Sequence, residues 1–164
     1  MSQIIETRKD QIDLLHNLLQ TVNEDDRISV MYAAWASALT TGSSYVKDLV
    51  KTYIGTTKPL EMRDIEFAIA RMGVTNPYYM ARQFSPLAVD ASLENLNFRS
   101  FDLLDVKNEI AYHHACVAIS LINGGYICLR SHVSSLQSSG VSDEKIDITM
   151  RIAAVCHSLN IIER

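Results

Sequence analysis

An apolar run that begins at Ala115 and resumes through Leu129 is interrupted once, by Asn123-Gly124-Gly125, and this interruption constrains the fold more than any other stretch. Without it the run would read as one long buried helix. Asparagine and glycine tolerate the positive φ angles of a tight turn, so the spacing predicts a helix up to Ile122, a break, and a second helix from Tyr126. The stretch from His113 to His132 also carries His113, His114, Cys116, Cys128 and His132, three of the five histidines and two of the three cysteines. The turn therefore joins two helices and places Cys128 in the first turn or so of the second, with His132 one turn further on.

The rest of the chain reads as helices with polar breaks between them. Ile5, Ile12, Leu15, Leu18, Leu19 and Val22 recur at helical spacing and leave Glu6, Arg8, Lys9 and Asp10 on the other side. Asn23-Glu24-Asp25-Asp26 is a polar break before a helix over 27–39, and Thr40-Thr41-Gly42-Ser43-Ser44 a break before one over 45–54. Pro59 is placed to open a helix over 59–72. Gly73-Val74-Thr75-Asn76-Pro77 predicts an end there, followed by a short helix over 78–84 and an irregular segment over 85–101. Helices are predicted again over 104–122, 126–138 and 143–161, the last opening on acidic residues that suit its dipole. No segment alternates as a strand does, so the expected fold is all-α in a single domain.

A second pattern runs through these elements. Ala33, Ala36, Leu39 and Gly42 match Ala115, Ala118, Leu121 and Gly124 at one offset; Asp64, Ile65, Ile69 and Ala70 match Asp147, Ile148, Ile152 and Ala153 at an offset one longer. Two explanations stay open: duplication relating 27–84 to 109–164, or chance agreement among common helix formers. Under duplication, Val46 and Val50 stand where Cys128 and His132 stand in the other copy, so the chemistry belongs to the second half alone.

Composition removes several function classes. A formal charge of −4 with scattered Lys and Arg offers no basic field for nucleic acid. No apolar run reaches the roughly 20 residues of a membrane span. The charged start, Met1 to Asp10, is unlike a signal peptide, and a cytoplasmic location is expected. Three cysteines at 116, 128 and 156 do not make a disulfide framework; in a reducing compartment they are thiols, ligands or redox groups.

Cys128 falls near the start of its helix with His132 one turn on, so both share a face. A helix N-terminus and a neighbouring imidazolium each stabilise a thiolate, which makes Cys128 a candidate nucleophile. A buried structural cysteine beside a satisfied histidine is the other reading of the same spacing. His113, Cys116, Cys128 and His132 also have the ligand types of a tetrahedral zinc site, His-x-x-Cys on one helix and Cys-x-x-x-His on the next.

Ile122 through His132, followed by Leu136, Gly140-Val141 and Ile152-Ala153-Ala154, resembles the active-site segment of the AhpD alkylhydroperoxidases in the carboxymuconolactone decarboxylase superfamily. That family reads Asn-Gly-Cys-x-x-Cys-x-x-x-His there. The similarity extends to Asn76-Pro77-Tyr78-Tyr79, Arg82-Gln83-Phe84 and the stretch from Trp35 to Leu49. The first cysteine of the pair is Gly125 here, the second is kept as Cys128, and the trailing histidine is His132. The residue often histidine between them is Ile127, and the family's glutamate on the preceding helix falls at His113.

The resemblance implies an AhpD-like helical fold, a homo-oligomer such as a trimer or hexamer, and a peroxide substrate. It implies that Cys128 attacks the peroxide while His132 and His113 manage protons. The sulfenic acid would then be reduced by Cys116 as a substitute resolving thiol, by Cys156, or by an outside thiol reductant or peroxiredoxin. Neither a cofactor nor a metal enters that scheme. Its alternatives are a degenerate, non-enzymatic member with a binding or structural role, and the Cys/His metal site described above.

Overall fold

A computed structural model describes residues 6–163. Among them the chain forms seven α-helices and no strand: α1 (Lys9–Gln20), α2 (Arg27–Thr41), α3 (Ser44–Ile54), α4 (Pro59–Phe84), α5 (Glu109–Ile122), α6 (Tyr126–Ser138) and α7 (Asp143–Glu163). Short 3-10 turns at Glu24–Asp26 and Phe101–Leu104 complete the order. The all-α expectation holds. Ile5, placed on the first amphipathic face, lies outside the described residues.

The helices form where apolar residues recur every three or four positions. Leu15, Leu18 and Leu19 turn one side of α1 inward, and Val46, Val50 and Ile54 do the same for α3. Helices α2 and α5 are apolar nearly all round and form the central pair, with α7 laid across both. Ala33, Ala118 and Ala153 are fully buried together where these three meet, because only small side chains let three helix backbones approach so closely. Helix α4 packs on α5 and also touches α2, and the site described below lies between α4, α5 and α6.

Two boundaries differ from expectation. Helix α4 runs without interruption through Gly73 and Pro77 to Phe84, where the local signals predicted a stop. Its inward face, Asp64, Ile65, Ala68, Met72, Thr75 and Asn76, continues past Gly73. Gly73 and Pro77 are both exposed, so the Gly73 carbonyl that Pro77 cannot serve faces water. Burial on one side thus outweighs two unfavourable residues on the other. Conversely, α5 starts at Glu109 rather than near Leu104: Asp105 takes a left-handed conformation at φ 50°, and the Asn108 side chain caps the helix by accepting from the Ala111 N–H at 2.9 Å.

The segment over 85–108 is not helical apart from one turn, yet it is fixed along α4. Tyr79 Oη donates to the Ala91 carbonyl at 2.8 Å, Arg82 to the carbonyls of Leu87 and Val89, and Arg71 to that of Arg99. The Arg63 guanidinium donates to the Leu104 carbonyl at 2.7 Å, while the buried Asp64 carboxylate accepts from the Lys107 N–H at 2.7 Å and from Tyr32 Oη at 3.0 Å. Helix α4 therefore acts as a spine, and its polar side chains replace the backbone pairing that an irregular segment lacks.

The two candidate halves share an order. Helices α2 and α5 each end at a left-handed glycine, Gly42 at φ 74° and Gly124 at φ 68°, and another helix follows within three residues. In the first half Val46 and Val50 are fully buried in the core.

Candidate functional site

The turn between α5 and α6 sets the site. The Gly125 N–H donates to the Ser120 carbonyl at 2.8 Å and the Gly124 N–H to that of Leu121 at 3.3 Å, the pair of bonds that closes a helix through a left-handed residue. Gly124 supplies that left-handed residue. Gly125 is needed for a different reason: its φ of −82° suits any residue, but a Cβ there would lie 2.4 Å from Cγ of Asn76 and 2.6 Å from its Cβ. Asn76 is buried, donates through Nδ2 to Ser120 Oγ at 2.9 Å, and accepts through Oδ1 from Asn123 Nδ2 at 3.2 Å. The space a side chain at 125 would use is occupied by the amide of α4 that locks the turn.

From this turn α6 carries Cys128 as its third residue and His132 one turn later. Both line a cavity of about 410 Å³ together with His113 of α5. Arg71, Met72, Thr75 and Tyr79 of α4 form the opposite wall, Tyr112 of α5 and Ile127 of α6 close one side, and Leu93 and Phe101 enter from the irregular segment. Cys128 is 7% exposed. The Phe101 ring stacks on His113 with centroids 5.8 Å apart and holds the imidazole in place.

His113 Nδ1 and His132 Nδ1 lie 2.9 Å apart, so one nitrogen donates and the other accepts a single proton. His113 Nε2 faces Glu109 Oε1 at 3.7 Å. Burial holds the His132 imidazole well below its ordinary value, at about 4, helped by His113 and the Arg71 cation. Burial lowers His113 too, against the opposing pull of Glu109. Both rings are therefore neutral at pH 7. Enclosure thus favours a neutral imidazole beside Cys128, because an imidazole here loses more hydration on charging than its neighbours return.

The other reactive groups fall elsewhere. Cys116 is fully buried on α5 and does not line the cavity; burial pushes its thiol far up, with the Tyr112 hydroxyl and the Arg71 cation pulling the other way. Cys156 is equally enclosed in the core, its thiol pushed up to about 12 by burial. His114 turns to the other side of α5, where its Nδ1 pairs with Thr149 Oγ1 at 2.6 Å beside a smaller cavity of about 110 Å³. Burial holds it at about 4.

The four-ligand metal arrangement is not formed. Among the described residues no group of three or more His, Cys, Asp and Glu side chains is placed to hold a metal ion. Two imidazoles on one tetrahedral metal would keep their ligating nitrogens roughly 3.3 Å apart with the ion between them; the 2.9 Å contact is that of a hydrogen bond.

Residue spacing missed Arg71, Tyr79, Leu93 and Phe101. They give no local signal, since they reach the cavity through a continuous α4 and an aperiodic segment.

A comparison with curated proteins gives 35% identity over 89 residues, 54% of this chain and 48% of the relative, to an alkyl hydroperoxide reductase AhpD of Caulobacter vibrioides (strain NA1000 / CB15N). The chain resembles AhpD. Proteins of the same name from Anaeromyxobacter sp. (strain K) and Solibacter usitatus (strain Ellin6076) align at 27% identity over 101 residues and 28% over 92. These cover 62% and 56% of this chain, and 54% and 52% of the AhpD relatives. The chain thus spans about half the length of the curated AhpD proteins it matches, and no family model matches it. No helix among the described residues is long and apolar enough to cross a membrane.

Proposed function

We propose that this chain is a thiol-dependent hydroperoxidase that works with one cysteine, Cys128. The observation that carries the reading is the convergence of Cys128, His132 and His113 on one largely apolar cavity, with the two imidazoles in direct contact. The names of the similar AhpD proteins add the substrate class, a hydroperoxide.

The neutral histidine pair suits the chemistry. In this reading His113 carries its proton on Nε2, towards Glu109 Oε1 3.7 Å away, so that His113 Nδ1 accepts from His132 Nδ1–H and His132 Nε2 is bare. The bare nitrogen takes the Cys128 proton through one water in the shared cavity as the sulfur attacks. The thiolate attacks the terminal oxygen of R–O–O–H; an S–O bond forms as the O–O bond breaks, and the departing alkoxide takes the proton from His132 to leave as an alcohol. Sulfur is oxidised to the sulfenic acid by the two electrons the peroxide gains. An external small thiol then condenses with the sulfenic acid, releasing water and forming a mixed disulfide; a second thiol frees Cys128 and leaves as the external disulfide. Cys116 is unsuited to this resolving task, because a fully enclosed thiol supplies no thiolate.

The test is consumption of cumene hydroperoxide with a small-thiol reductant, with the oxidised cysteine trapped by dimedone and mapped by mass spectrometry. Wild type should consume peroxide and carry the adduct on Cys128, and Cys128→Ser should do neither. Equal consumption by both proteins overturns the proposal. One observation favours a second reading, a non-catalytic member: Asn76 fills the place of the absent sulfur and is itself hydrogen-bonded. Unreactive Cys128 in an intact, folded chain would establish that reading.

A further inference from the structure

The cavity at Cys128 contains one permanent charge. Arg71 extends from α4 into its wall, and the two histidines beside it are neutral. The guanidinium is fixed from behind, donating to the Arg99 carbonyl and lying over the Phe98 ring with Cζ 5.3 Å from its centroid. Its field reaches His132, Tyr112 and Cys116. Among the described residues no carboxylate pairs with it. A guanidinium without a counter-ion at the half-exposed Arg71, in a pocket whose apolar lining includes Met72, Leu93, Phe101 and Ile127 beside the hydroxyls of Thr75, Tyr79, Ser131 and Ser135, is matched by an anion attached to an apolar body. The cavity volume lies within the roughly 300–1,000 Å³ usual for small-ligand sites.

We propose that the cavity selects organic hydroperoxides that carry a carboxylate, the carboxylate pairing with Arg71 while the apolar body lies along Met72 and Phe101 and the peroxide reaches Cys128. This assignment of substrate class rests on the hydroperoxidase reading above. Arg71 is a specificity residue in it: it binds the remote end of the substrate and takes no part in the bond changes. Hydrogen peroxide and neutral hydroperoxides would react without its help.

Two measurements separate this inference from the reading it rests on. The first needs no peroxidase activity: alkylation of Cys128 by iodoacetate and by iodoacetamide, with glutathione as the free-thiol reference. Wild type should favour the anionic reagent about 10-fold more than glutathione does. Arg71→Gln should return the ratio to that of glutathione, and Arg71→Lys should restore part of it. The second is kcat/KM for a hydroperoxy fatty acid against its methyl ester, with the acid preferred by wild type and the preference lost in Arg71→Gln.

A glutathione-like alkylation ratio in wild type, together with equal turnover of acid and ester, overturns the carboxylate assignment and leaves the hydroperoxidase standing. An anionic preference with no hydroperoxide consumed overturns the peroxide part and retains the carboxylate subsite.

Discussion

Adding a single methyl group at position 125 tests whether Asn76 holds the site in its present form. In Gly125→Ala the backbone needs no rearrangement, since φ is −82°. The new Cβ, however, would lie 2.4 Å from Asn76 Cγ and 2.5 Å from its Nδ2. Carbon atoms in good contact sit about 3.5–4.0 Å apart, so one group must move by more than about 1 Å. Asn76 cannot yield freely: it is 1% exposed and bonded to Ser120 and Asn123. Overpacking of this kind costs about 1–3 kcal/mol and each displaced hydrogen bond about 1 kcal/mol, so the expected loss is about 2–5 kcal/mol. For a chain of this size that lowers Tm by roughly 5–15 °C.

Thermal and urea unfolding followed by circular dichroism measure the loss. The remedy is also specific. Asn76→Ala should rescue Gly125→Ala only in part, because Cβ of residue 76 would remain 2.6 Å from the new atom. Asn76→Gly should rescue it further despite a helix cost of about 1 kcal/mol. For the same reason Gly125→Cys alone should not produce a dithiol peroxidase, whereas Gly125→Cys with Asn76→Gly has room for the second sulfur. A Gly125→Ala protein within about 0.5 kcal/mol of wild type would refute the argument.

Other outcomes follow from the same contacts. His132→Gln should lower the second-order rate of Cys128 with hydroperoxide by about 100-fold or more, and His113→Gln by less, in stopped-flow measurements with excess peroxide. Stability should fall in acid: burial holds His114 and His132 at about 4 against an ordinary 6.5. Unfolding therefore takes up protons between those values, so the contribution is full above pH 6.5 and is lost towards pH 4. The groups around His114 are Thr149, Asp26, Lys145 and His113, and those around His132 are His113 and Arg71. Urea midpoints at pH 7.5, 5.5 and 4.5 should decline more steeply in wild type than in His114→Gln; parallel curves would refute the assignment. Asp64→Ala should cost roughly 2–4 kcal/mol, since it strands Tyr32 Oη and the Lys107 N–H, and should speed proteolysis over 99–108.

The parts of the site legible in the sequence share one property: their spacing is local. Cys128 and His132 are one turn apart on one helix, and Gly124 announces its left-handed turn by being glycine. What spacing could not reveal depends on groups far apart in the chain. Gly73 and Pro77 each argue against a helix, yet Met72, Thr75 and Asn76 are buried against α5 and α6, and that burial carries α4 through. The same continuity delivers Arg71 and Tyr79 to a cavity whose thiol lies about 50 residues further on. Protonation was out of reach as well, because neutrality of the His113–His132 pair comes from enclosure.

Asn76 shows how these levels join. The resemblance to AhpD implies that glycine at 125 stands where a family member has the first cysteine of a pair. In the folded chain the space a side chain at 125 would take holds an amide whose two hydrogen bonds tie α4 to the turn that aims Cys128. Gly125 and Asn76 are thus coupled although they lie 49 residues apart, the first leaving a space and the second anchoring the turn within it. A site built this way should resist a side chain at 125 while Asn76 is present and accept one once Asn76 is removed. That non-additivity, read in a double-mutant cycle of Gly125→Ala and Asn76→Gly, should amount to about 1–3 kcal/mol.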